Sequence, residues 1–148
     1  MSRWNSTCAD AMNGKSNTDA DPVRAAIAEG KKTILLYSPD LNFCFSLSVL
    51  FQDRFNVITT TNLGLLDRLQ GTYAADLVII DAVPSDGLLE RLERLKGERP
   101  SLPVLVLYVY NSKAAQLDRD IRTRVDSVFY KPIELETVTR RIETLLKD

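Results

Sequence analysis

The chain has 148 residues, 45% of them hydrophobic and 26% charged, with a formal net charge of −1. That length suits one domain with an ordinary core, and the charge balance offers no basic surface for nucleic acid. Histidine is absent, which excludes histidine acid–base chemistry, histidine phosphorylation and histidine-ligated metal.

Residues 1–30 read as a largely disordered N-terminal tail before a domain over 31–148, because 1–21 are rich in Ser, Thr, Asn, Asp, Ala and Gly and carry no apolar period. Within the tail, Pro22–Glu29 suits a short helix, with proline in the first turn. No secretory signal opens the chain, and no apolar stretch approaches the roughly 20 residues that cross a membrane. The two cysteines, Cys8 and Cys44, read as free thiols in a reducing cytosol, so the expected location is cytoplasmic.

From residue 31 onward apolar runs alternate with amphipathic segments. The runs are Thr33–Tyr37, Phe55–Thr59, Leu77–Ile80, Val104–Tyr108 and Val125–Tyr130. The segments between them read as helices by period. Leu88, Leu92 and Leu95 make one stripe; Leu135, Val138, Ile142, Leu145 and Leu146 make another. Leu41–Phe51 fits two periods. Leu41, Phe43, Phe45, Leu47 and Val49 alternate as in a strand, whereas Phe43, Leu47, Leu50 and Phe51 share a helical face. Neighbouring parallel strands need a long crossover, so a helix is predicted, with Asp40 or Ser38 as its N-cap. Five strands and five helices in strict alternation imply a parallel sheet covered on both faces.

Two of these strands end in charge. Asp76-Leu-Val-Ile-Ile-Asp81 delivers a carboxylate to the edge where open α/β sheets bind ligands, and Phe129-Tyr-Lys131-Pro132 brings an amine to the same edge. Asp81 followed by Pro84 and Asp86-Gly87, the run Leu102-Pro103-Val104-Leu105-Val106-Leu107, and Tyr130-Lys131-Pro132 before an amphipathic helix occur in the order and spacing of a known family. Over Lys32–Asp148 the chain resembles the receiver domains of bacterial response regulators. The resemblance implies a flavodoxin-like, doubly wound five-stranded parallel sheet in the order 2-1-3-4-5 with five helices.

It also implies roles. Asp81 falls at the phosphoacceptor position, and Lys131 at the lysine that pairs with the phosphoryl group. The family holds Mg²⁺ on an acidic pair at the end of strand one, where this chain has Ser38 and Pro39. It places a small switch hydroxyl at the end of strand four, where this chain has Tyr108. Val128 stands at the family's switch aromatic, and the loop after Asp81 is one residue short. With one carboxylate and one lysine the local charges cancel, so weak or absent Mg²⁺ binding and a direct Asp81–Lys131 ion pair are expected.

The expected function is that of a stand-alone, atypical receiver in a two-component or phosphorelay system, not an enzyme. Its expected partners are proteins: a sensor histidine kinase or phosphotransfer protein, or a second copy through the face of helix four, strand five and helix five. Gln116–Arg124 reads foremost as a solvated face of alternating charge. Tyr108, Val109, Tyr110 and Asn111 read as ordinary packing beneath helix four before an exposed aromatic surface. The alternative is a small flavodoxin-like cofactor-binding protein or enzyme. Against it, Ser38-Pro39-Asp40-Leu41-Asn42 contains no glycine to cradle a phosphate.

Overall fold

The computed structural model describes residues 30–147. The expected tail, its helix over Pro22–Glu29 and Cys8 lie outside these residues. The described strands, β1 (Thr33–Tyr37), β2 (Asn56–Thr60), β3 (Leu77–Asp81), β4 (Val104–Tyr108) and β5 (Ser127–Tyr130), form one sheet in the order β2-β1-β3-β4-β5, so the flavodoxin-like topology implied by the resemblance is borne out. The chain divides into two compact units, the second beginning at Leu77.

The first unit holds β1 (Thr33–Tyr37), α1 (Leu41–Phe51), β2 (Asn56–Thr60) and α2 (Leu66–Tyr73), with a single 3₁₀ turn over Leu63–Leu65. β1 and β2 pair in parallel, from Thr33 against Asn56 to Tyr37 against Thr60. The expected β2 lies one residue early, because Phe55 closes the preceding turn by donating its amide to Phe51 O at 2.9 Å.

α1 is helical, as topology demands. Asp40 caps it, its carboxylate accepting the amides of Asn42 at 3.0 Å and Phe43 at 3.3 Å. The buried face is Cys44, Leu47, Ser48 and Phe51, so Phe43 and Leu50 do not belong to it as expected and Leu50 is exposed. Cys44 is buried, and its Sγ lies 3.7 Å from Ser38 O.

Ser48 is a weak point in that face. Its hydroxyl is buried and finds no hydrogen-bond partner, although such groups normally do. Ser48→Ala removes the unsatisfied hydroxyl and installs a better helix former. It is therefore expected to stabilise the protein by about 1 kcal/mol, read as a higher urea midpoint. A lower midpoint would mean that the hydroxyl has a partner after all.

The second unit holds β3 (Leu77–Asp81), α3 (Asp86–Glu98), β4 (Val104–Tyr108), α4 (Ala115–Arg124, preceded by a 3₁₀ turn over Ser112–Ala114), β5 (Ser127–Tyr130) and α5 (Leu135–Leu145). β3 and β4 are buried at every position. Such continuous apolar strands belong to sheets covered on both faces. The predicted leucines 88, 92 and 95 are all buried along α3. Ser85 starts that helix, its Oγ accepting from Leu88 N at 3.0 Å. In α5 Val138 and Ile142 are buried, whereas Leu135 is exposed.

β5 begins two residues later than expected, and Asp126 is the reason. Its amide donates to Val104 O at 2.9 Å, while its carboxylate accepts Val104 N at 2.8 Å and Lys96 Nζ at 3.0 Å. The residue before β5 is thus spent on setting the start of β4. Asp76 does the same for β1 in the first unit: its carboxylate accepts Thr33 N, and its own amide donates to Thr33 O, both at 2.8 Å.

Candidate functional site

β3, β4 and β5 end at Asp81, Tyr108 and Tyr130, so three polar side chains reach the C-terminal edge of three adjacent strands. The register fixes their heights, with Asp81 opposite Leu107, and Tyr108 opposite Tyr130. Lys131 is the first residue beyond β5. Its amide donates to Tyr108 O at 2.9 Å, which extends the ladder by one bond, and its peptide bond to Pro132 is cis.

Asp81 and Lys131 are brought together. Nζ of Lys131 lies 2.6 Å from Oδ1 of Asp81; the Asp81 side chain is buried and the Lys131 side chain 37% exposed. A buried carboxylate loses water, and a charged donor at this distance replaces it. Among the described residues no group of three or more Asp, Glu, Cys or His side chains comes together that could hold a metal ion. Ser38 is buried, its Oγ accepting Asp40 N at 3.0 Å, and Asp40 is spent on capping α1.

Tyr108 does not stand free as a bulky stand-in for a hydroxyl. It is 2% exposed, and its phenol donates to Oδ1 of Asp118 at 2.7 Å. Tyr130 donates to the same oxygen at 2.8 Å. The two rings meet edge to face at 5.8 Å, and Tyr110 meets Tyr130 in the same way at 5.5 Å. Burial, then the hydrogen bond to Asp118 and its negative charge, push the Tyr108 phenol far above the ordinary tyrosine range, with Arg122 opposing. Tyr130 is raised as well, by burial first and then by the hydrogen bond to Asp118 and its negative charge, with Arg122 opposing and Tyr110 adding to the rise.

The sequence reading of α4 as a solvated face of alternating charge is therefore corrected at Asp118. Its side chain is 5% exposed and accepts Nε of Arg122 at 3.2 Å in addition to the two phenols. Arg119 and Arg122 are exposed, as expected. The expectation of ordinary packing beneath α4 holds for Tyr108 and fails for Val109 and Tyr110, which are exposed. Val128 lies half-buried in mid-strand opposite Val106, and the aromatic beside Lys131 is Tyr130. Sequence reasoning missed Asp118 and Tyr130; the available signal was two tyrosines ending adjacent strands with an acid early in the helix between them.

No family model matches the sequence, and no curated protein resembles it closely enough in sequence to count as a relative. Solved structures do resemble it. The N-terminal signal receiver domain of a two-component response regulator from Bacteroides fragilis superposes with a TM-score of 0.68 at 17% identity, covering 80% of this chain and 99% of that one. A two-component response regulator from Clostridium difficile gives 0.67 at 18% identity, over 79% and 97%. A protein from Burkholderia pseudomallei described as pilus assembly-related gives 0.64 at 26% identity, over 80% and 91%. With its strand order and an acid ending β3, the chain has the fold of response-regulator receiver domains and resembles them.

Proposed function

We propose that this protein is a receiver-like signalling module of a two-component or phosphorelay pathway, acting in the cytoplasm by protein–protein contact, with Lys131 holding Asp81 where a receiver would use a metal ion. The carrying observation is the 2.6 Å contact between Lys131 Nζ and Asp81 Oδ1. In a phosphorylating receiver the acceptor carboxylate attacks phosphorus while a divalent cation offsets the repulsion between two anions. Here one lysine already cancels the one carboxylate, and hard cations need several oxygen ligands. Mg²⁺ binding is therefore weak, and Asp81 serves the fold of the signalling edge more than phosphoryl transfer.

The partner-binding face in this reading is that of α4, β5 and α5, where a second copy, a sensor histidine kinase or a phosphotransfer protein would dock. Tyr110 and Tyr130 are exposed there, and a groove of about 460 Å³ along β5 and α5 is lined by Ser127, Phe129, Thr137, Arg140 and Arg141. Exposed aromatics and arginines are the side chains on which interfaces most depend. The 26% likeness to a protein described as pilus assembly-related also supports work within an assembly. Among the described residues no helix is long and apolar enough to cross a membrane.

The test is intact mass after incubation with acetyl phosphate and Mg²⁺, with Asp81→Asn as control. The expected result is no gain in either protein. A gain of one phosphoryl group that the Asn variant lacks would establish a working phosphoacceptor and defeat the metal-independent reading.

A further inference from the structure

Asp118 closes a ring of contacts that ends at Lys131. Starting at Tyr108, the ring runs from its carbonyl to the amide of Lys131 at 2.9 Å and back one residue to Tyr130. From the Tyr130 phenol it passes to Asp118 Oδ1 at 2.8 Å, and from that oxygen to the phenol of Tyr108 at 2.7 Å. Every link is a hydrogen bond or a covalent step, and the phenol bonds end on an ionised acceptor, the stronger kind. Arg122 approaches the other carboxylate oxygen from the same helix. The backbone point the ring holds is the one from which the Lys131 side chain reaches Asp81.

We propose that Asp118 is a positioning residue for the Asp81–Lys131 pair. It ties the ends of β4 and β5 to the first turn of α4, so that Lys131 leaves β5 in one direction and the α4 face is held in one arrangement with it. The inference rests on reading Asp81 and Lys131 as the functional pair. It adds that the signalling face is set by a tyrosine–aspartate tether and does not wait on the chemical state of Asp81. Tyr108, which occupies the place of a switch hydroxyl, is then the part that holds the switch still. Buried hydrogen-bonded networks of this kind select a single conformation when every member is satisfied.

The experiment is amide hydrogen exchange, with ¹⁵N relaxation dispersion, on the full chain and on Tyr130→Phe, which keeps the ring volume and removes one bond. Asp118→Asn, which removes the charge and keeps an acceptor, is the second variant. The expected result is a rise in exchange at the Lys131 amide and in the first turn of α4, about fivefold in Tyr130→Phe and about tenfold or more in Asp118→Asn, with β1 and α1 unchanged. A rise spread evenly over all protected amides would reduce Asp118 to a general stabiliser, and no rise at Lys131 would remove its link to the pair; either overturns the proposal. The phosphorylation test is independent. A labelled Asp81 with a freed Lys131 amide defeats the metal-independent reading alone, whereas an unlabelled Asp81 with an unmoved amide defeats the positioning role alone.

Discussion

Asp118→Ala is expected to destabilise the protein by about 3–5 kcal/mol, measured as a fall in the urea midpoint with the m-value unchanged. The carboxylate receives two phenol donors at 2.7 and 2.8 Å, and a hydrogen bond to a charged group contributes about 1.5–3 kcal/mol. Removing the acceptor also leaves the Tyr108 hydroxyl buried with its partner gone. The Arg122 contact adds little, because that side chain is 54% exposed and solvent screens it. Against a typical total of about 5–15 kcal/mol this is a large share.

The single-ring variants should fall in order below it. Tyr108→Phe takes one donor from a carboxylate that keeps two others, Tyr130 and Arg122, so about 1.5–3 kcal/mol is expected. Tyr130 is 39% exposed, and water replaces part of what its phenol supplied; about 1 kcal/mol is expected there. A cost for Asp118→Ala below that of Tyr130→Phe would mean that the carboxylate is solvated and the tether is no tether.

The succession of strands and helices was legible because each buried strand is an apolar run of five or so residues bounded by polar chain, and because parallel neighbours oblige a helix between them; the sheet order came only from the resemblance to receiver domains. That topological argument decided α1, where the period alone was silent. Asp81 and Lys131 were legible as charges ending such runs. Asp118 was not, for a physical reason. α4 buries only Ile121 among its apolar residues, together with Asp118 itself, so no apolar stripe marks the inward face. What draws the carboxylate inward is a pair of phenols 10 residues before it and 12 after it, of which Tyr108 read as packing and Tyr130 as the residue before the Lys131-Pro132 pair. The i,i+4 spacing to Arg122 further disguises it as a surface ion pair. Similarly, Asp126 looks like part of β5 until its carboxylate is seen to bind the first amide of β4.

The same network makes the fold sensitive to alkali, and the sign follows from the direction of the phenol shifts. Tyr108 and Tyr130 are both raised above the ordinary value of 10.0, chiefly by burial and then by Asp118, with Arg122 opposing and Tyr110 adding to the rise at Tyr130. An acid whose folded pKa lies above its unfolded one holds its proton more tightly when folded. Its contribution is complete below pH 10 and is lost as pH climbs from there toward the folded value. Each pH unit in that window removes about 1.4 kcal/mol for a phenol held as Tyr108 is, and less for the part-exposed Tyr130. Urea midpoints taken from pH 8 to about pH 11 should therefore fall faster in the native protein than in Tyr108→Phe. The two proteins differ only at this hydroxyl, so the difference between the two slopes reports the Tyr108 phenol together with its coupling to Tyr130 through Asp118. Parallel slopes would show that Tyr108 ionises as freely folded as unfolded, which a phenol shut against a buried carboxylate cannot do.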